Sequence, residues 1–293
     1  MTDFDTKRFR YDGDKPLKLK KAPTKVDDLY EDDAHYEALL RSHAAEIDKW
    51  QSRMFAHNRY GFLVVFQALD AAGKDGTIKN VFTGTNPAGV QVYSFKRPTD
   101  QELDHDFLWR SWRELPERGR IGIFNRSYYE EVLVTKVHPE ILTESQRLPE
   151  KQTDDLDKLF KHRYEAIRDM EKFLLHNGFP TVKFFLNVSK KEQADRLIAR
   201  IESKDKNWKF EEGDVKEREF WDEYQDAYEA CINETATDKA PWYVIPADDK
   251  KNMRLLIGHI LVEELQKLPI EEPEGDDKRF AQLKKLIPII RAQ

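Results

Sequence analysis

The chain has 293 residues, and 49 Lys and Arg against 55 Asp and Glu give a formal net charge of −6. An apolar share of 39%, with 12% aromatic residues, supports a sizeable core and excludes a disordered chain. No apolar run reaches the ~18–20 residues that cross a bilayer, and the acidic balance disfavours bulk attraction to nucleic acid or to anionic membranes.

The N-terminus, MTDFDTKRFRYDGDK, lacks an apolar signal segment. Cys231, the single cysteine, has no internal disulfide partner and points to a reducing, cytoplasmic setting. Residues 1–26 are polar, carry Lys18, Lys20, Lys21 and Lys25, and read as an extended arm. A solvated tail is the favoured reading, and an anion contact the alternative. From Val26 to Asn58, apolar residues recur mainly at spacings of three and four and predict a helix. They include Tyr36, Leu39, Leu40, Ala44, Ile47, Trp50 and Met54.

Gly61–Ala68 is a continuous apolar run and predicts a strand covered on both faces. Similar runs follow at Val90–Phe95, Arg120–Phe124, Thr181–Val188 and Trp242–Ala247, with helical patterns between them. Two capping boxes, Thr99 with Glu102 and Ser189 with Glu192, open helices, the first running to Glu117. Trp109 and Trp112 on that first helix read as packing residues. Alternating strands and helices predict an α/β fold: three αβα layers around a parallel sheet. Length alone, at ~150 residues per domain, suggests two domains. The uninterrupted alternation favours a single domain over 27–293, with Pro269–Asp277 looping to a last short helix.

Ala68-Leu-Asp-Ala-Ala-Gly-Lys-Asp-Gly-Thr77 follows the first strand directly and precedes a helix predicted over Thr77–Phe82. This is the setting of a phosphate-binding loop, where backbone N–H groups and the helix dipole favour an anion. Gly73 and Gly76 permit close backbone approach, Lys74 supplies a point charge, and Asp75, Thr77 and Lys79 complete the phosphate-binding candidates. Against G-x-x-x-x-G-K-[ST], Ala68 replaces the first Gly and Asp75 the Ser/Thr. The additional carboxylate, Asp70, would repel phosphates unless a cation lay between, so it is the candidate Mg²⁺ ligand.

Other cations fall beyond strand ends, where ligands of open parallel sheets bind. After Arg120–Phe124 comes Asn125-Arg-Ser-Tyr-Tyr-Glu-Glu131, in which Arg126 suits a phosphate fork and Glu130 or Glu131 a metal-bound water. Pairing of Arg126 with Glu130 on a helix surface is the plainer alternative. Lys96 and Arg97 follow the second strand, with Phe95 able to support a base. Arg196, Arg200 and Lys204 recur every four residues on a helix after Ser189, forming one stripe of a candidate lid. A solvated amphipathic helix is the alternative there.

FQALDAAGKDGTIKNVFTGTNPAGVQVYSF (66–95), PTDQELDHDFLWR (98–110), FNRSYYEEVLV (124–134), FFLNVSKKEQADRL (184–197) and KAPWYVIPADDK (239–250) together resemble the family-2 polyphosphate kinases. The resemblance covers about Lys18 to Leu265. It implies a P-loop kinase fold near thymidylate kinase, with a helical lid at about 196–218. It also implies phosphoryl transfer, dependent on Mg²⁺ (or Mn²⁺), between inorganic polyphosphate and AMP or ADP, giving ADP or ATP, with guanine nucleotides also admitted. By position, Asp70 is then the essential acid, Lys74 and Arg126 phosphate ligands, and Arg196 and Arg200 lid residues. Asn125, Ser127 and Tyr128, with Phe95, Lys96 and Arg97, are the nucleotide-side candidates.

Many members carry F-D-R-S-W-Y-N-R where this chain has F-N-R-S-Y-Y-E-E. Asn125 removes a metal-binding carboxylate, and Glu130 is the candidate replacement. The Tyr-Tyr-Glu form resembles the subgroup accepting both AMP and ADP. Apolar helices over 153–177 and 214–235 leave room for a dimer or tetramer. The competing readings are an ATP-dependent nucleoside or nucleotide kinase on the same fold, and a polyphosphate-binding module without turnover.

Overall fold

Alternation along one central strand separates two cores. In a computed structural model that describes residues 4–205, 207, 210, 212–271 and 277–292, the strand Phe62–Gln67 (β2) is buried throughout. Phe62, Val64 and Phe66 join one apolar cluster, and Leu63 and Val65 join another on the opposite face. A strand covered on both faces has no polar side to show, which is why the run lacks hydrophobic alternation.

The sheet has six strands in the order β1-β6-β5-β2-β4-β3. These are Arg10–Tyr11 (β1), β2, Val90–Ser94 (β3), Ile121–Asn125 (β4), Thr181–Asn187 (β5) and Trp242–Pro246 (β6). All pairings are parallel except β1 with β6. The five predicted strands agree with the observed ones to within one residue at each end. β3 departs from its reading in burial: it is an edge strand with Val92 54% exposed.

The principal helices are Asp33–His57 (α1), Lys74–Val81 (α2), Glu130–Val137 (α3), Leu156–His176 (α4), Lys190–Glu202 (α5), Trp221–Thr235 (α6) and Lys250–Gln266 (α7). α1, α2 and α7 contribute to the first cluster, and α3, α4 and α6 to the second. Most apolar side chains of α4 and α6 therefore pack inside this chain, while Phe173 of α4 is exposed. α1 begins seven residues later than predicted because the Asp32 side chain caps it, accepting from the His35 N–H. The helix expected over 99–117 is broken into Asp100–Leu103 and Trp109–Trp112. Its capping box forms in both directions, but Asp106 accepts from the Leu108 N–H and diverts the backbone into a turn. Within the expected Pro269–Asp277 loop, residues 272–276 lie outside the described residues. Among the described residues, no helix is long and apolar enough to cross a membrane.

The N-terminal arm is not a solvated tail. Its polar composition hides four buried apolar side chains, Phe4 and Phe9 in the first cluster and Leu17 and Leu19 in the second. The arm thus passes round the β6 edge, which β1 covers, from one face of the sheet to the other. Asn233 on α6 imitates a strand partner: its Oδ1 accepts from Leu17 N (2.6 Å) and its Nδ2 donates to Leu17 O (3.1 Å). Leu17→Ala should lower stability by about 2–5 kcal/mol, as core truncations do, measured by denaturant unfolding. A solvated tail would lose almost nothing.

Candidate functional site

The chain leaves β2 at Gln67 and turns through residues 68–73 into α2. Two residues in this turn have positive φ, Ala71 (60°) and Gly73 (107°). At Gly73 a side chain would be strained whatever the available space. For Ala71 the left-handed conformation is a cost that surrounding contacts must hold in place. Lys74 opens α2 and folds back over the turn, donating from Nζ to Ala68 O (2.7 Å) and Leu69 O (3.4 Å). Burial, then the charge of Arg126, push its pKa down to about 8 against the opposite pull of Asp70, Glu130 and Asp75.

The second loop leaves β4, which pairs in parallel with β2 and sets Asn125 opposite Phe66. One more hydrogen bond, Arg126 N to Phe66 O (2.9 Å), extends this pairing. Arg126 itself has φ 62°, and its Nη2 meets Asp70 Oδ1 at 2.6 Å. The surface-pair alternative with Glu130 is therefore replaced by an ion pair between the two loops. Burial would raise the Asp70 carboxyl, but Lys74 and Arg126 outweigh it and hold the pKa below the ordinary value, with Arg200 adding to them. Glu130 accepts from Gln67 Nε2 at 3.0 Å, and its charge helps to raise the Arg126 pKa further. Arg200 also pairs with Asp214 at 3.1 Å. Asp70, Lys74, Arg126, Glu130 and Arg200 thus interact electrostatically at the carboxyl edge of the sheet.

Other expected residues serve the scaffold. Arg196 is 9% exposed, and all five N–H groups of its guanidinium have acceptors. Nε donates to Glu192 (2.8 Å), Nη1 to Ala72 O (2.7 Å) and Ala71 O (3.4 Å), and Nη2 to Ala247 O (2.6 Å) and Asp248 O (3.0 Å). With no donor left for a phosphate, Arg196 fastens the first loop to the end of β6. Within the expected lid, residues 206, 208, 209 and 211 lie outside the described residues. Lys204 is exposed, as is Lys79 on α2.

Thr77 is fully buried, with its hydroxyl against the Met253 sulfur at 3.8 Å, so it presents no donor to a ligand. Phe95 is buried between Tyr93 and Phe124 under the Arg110 guanidinium, which leaves no ring face for a base. Tyr128 is buried and bonded to Glu171, and the Ser127 hydroxyl accepts from Tyr129 N. Both shape the second loop. Glu131 points into the α3–α4 packing, 3.8 Å from Arg163, away from any metal role. Asn125 donates from Nδ2 to Asp75 Oδ1 (2.8 Å) and to Ser94 Oγ (3.3 Å), tying the first loop to β3 and β4. Gly76 is half-buried on α2, while Lys96 and Arg97 are exposed after β3.

Sequence reasoning overlooked Gln193, whose Nε2 donates to Asp70 O at 3.0 Å. A single neutral residue on an amphipathic helix carries no local signal of that role.

Among the described residues, no three His, Cys, Asp or Glu side chains form a metal cage. Mg²⁺ at a phosphate site needs only one or two carboxylates, with substrate oxygens and water as the other ligands. Asp70 fits this requirement: it is ionised, and Arg126 engages only Oδ1.

A model of the family described as Polyphosphate kinase 2 matches residues 30–273. An ADP-polyphosphate phosphotransferase of Rhodopseudomonas palustris is 50% identical over 95% of this chain and 96% of its own. An AMP/ADP-polyphosphate phosphotransferase of Meiothermus ruber is 42% identical over 92% and 96%. The crystal structure of Polyphosphate Kinase 2 from Arthrobacter aurescens superposes with a TM-score of 0.85 at 35% identity, covering 96% of this chain and 95% of that one. Agreement over nearly the full length, in sequence and in fold, places this chain in the polyphosphate kinase 2 family.

Proposed function

We propose that the protein transfers a terminal phosphoryl group between inorganic polyphosphate and a nucleoside mono- or diphosphate, AMP or ADP. The observation that carries this reading is the Asp70 carboxylate set between Lys74 and Arg126 at the carboxyl edge of the sheet. The names of the two bacterial relatives support the substrate classes. The lone cysteine supports a cytoplasmic setting.

A phosphate oxygen of the nucleotide attacks the terminal phosphorus of polyphosphate in line. The bond to the bridging oxygen breaks, and the shortened chain leaves with that oxygen and its electron pair. The attacking oxygen is already ionised near neutral pH, so no strong base is required. Lys74 and Arg126 bind the transferred group and balance its equatorial charge, while Asp70 orients Arg126 and the acceptor side. Asp70 would hold Mg²⁺ (or Mn²⁺) through the oxygen that Arg126 leaves open, with Glu130 as a second carboxylate. When bound, the ion supplies charge neutralisation between acid and phosphates.

Incubation with polyphosphate, Mg²⁺ and either AMP or ADP should yield ADP or ATP, and excess chelator should abolish the yield. Transfer supported by ATP but not by polyphosphate would overturn the assignment. Asp70→Asn should fold normally and lose at least ~10²-fold in kcat. Lys74 is charged below about pH 8 and neutral above it, so anion binding weakens as pH rises. The value of kcat/KM for polyphosphate, which reports the free enzyme, should fall above about pH 8. In Lys74→Arg, whose guanidinium stays charged, that alkaline limb should disappear.

A further inference from the structure

Directly beneath the second loop lies a buried polar cluster that the chemistry above does not use. Glu171 of α4 receives three donors. Tyr128 and Tyr129 both donate to Oε1, at 2.8 and 2.7 Å, and Lys183 of β5 donates to Oε2 at 2.7 Å. Lys183 also donates to the Tyr129 hydroxyl (3.1 Å) and to Thr235 O (3.0 Å) at the end of α6. Lys183 and Tyr129 are fully buried, and the Tyr128 and Glu171 side chains are almost so. Among the described residues, the hydrogen-bond donors to the Glu171 carboxylate are these two hydroxyls and this one ammonium.

A buried ion pair is weak ground for stability, since apolar residues of the same volume often serve a core as well. Directionality is what the apolar replacement lacks. Here the direction is imposed on the two residues that follow Ser127, and so on the exit from Arg126. Arg126 sits in a left-handed conformation that a bulky side chain does not adopt unaided. Its amide is fixed on one side by Phe66 O. On the other side the chain turns into α3 through Tyr128 and Tyr129, and both rings end on one carboxylate oxygen.

We infer that Glu171 is a positioning residue for phosphoryl transfer: through the hydroxyls of Tyr128 and Tyr129 it holds the second loop so that Arg126 faces Asp70 and the transferred phosphate. This rests on the reading that Arg126 binds the transferred group. The cluster joins the second loop to α4, β5 and the end of α6, so it links the reacting edge to the middle of the second core.

The test is a double-mutant cycle. Tyr128→Phe with Tyr129→Phe keeps both rings and removes both donors. It is made in the native protein and in Arg126→Ala, with folding checked by thermal unfolding and kcat and KM measured for polyphosphate and ADP. The tyrosine changes should lower kcat at least tenfold in the native background and less than twofold in Arg126→Ala, because the group being positioned is then gone. Equal losses in both backgrounds, or an unchanged kcat in the folded double variant, would overturn the inference. Native turnover in Arg126→Ala alone would instead overturn the role of Arg126, which separates the two failures. If the double variant does not fold, Tyr128→Phe alone carries the same comparison, since Glu171 then keeps Tyr129 and Lys183.

Discussion

The contact between Asp70 and Arg126 organises the site around it. A pocket for a polyanion must keep several cations close together before the substrate arrives. Two like charges 4 Å apart repel by about 4 kcal/mol at an effective dielectric of 20. A carboxylate set between Lys74 and Arg126 relieves that repulsion. Both partners of the pair remain more than a third exposed, so water screens it and its net worth is small. A weak, exchangeable pair suits the purpose, because phosphate oxygens can replace the carboxylate at Arg126 without a large loss.

That contact depends on two loops that the backbone alone would not favour. Ala71 and Arg126 both have positive φ, at the ends of neighbouring strands. Each is held from outside the site. Gln193 and Arg196 of α5 reach down to the carbonyls of residues 70–72, and the tyrosines after Arg126 end on Glu171. The buried and half-buried cations around these loops therefore divide into two kinds. Arg196 and Lys183 have their side-chain donors filled by protein acceptors and shape the loops. Lys74, Arg126 and Arg200 face the acid at the reacting edge.

The net charge of −6 concealed this division. Acids such as Glu171, Glu192 and Asp214 pair with particular cations, so the total says little about the field at the edge of the sheet. The arm shows the same limit of composition. Its lysines at 18, 20, 21 and 25 are exposed, while single leucines and phenylalanines between its charges anchor it to both cores.

Strand positions, the parallel α/β class, the first loop and the grouping of Asp70, Lys74 and Arg126 were all legible in the sequence. The first three are written in residues close together in the chain, as a run, a spacing or a strand-loop-helix order; the grouping, across 56 residues between Asp70 and Arg126, follows from the rule that ligands bind beyond the carboxyl ends of parallel strands. Which candidate faces a ligand was not. Arg196 and Arg200 stand one turn apart, yet Arg196 is captured by Ala72, 124 residues away, and Tyr128 by Glu171, 43 residues away. Local spacing constrains the side of a helix on which a residue lies. Only the tertiary structure decides what that side meets, because the acceptors that capture a side chain come from distant parts of the chain.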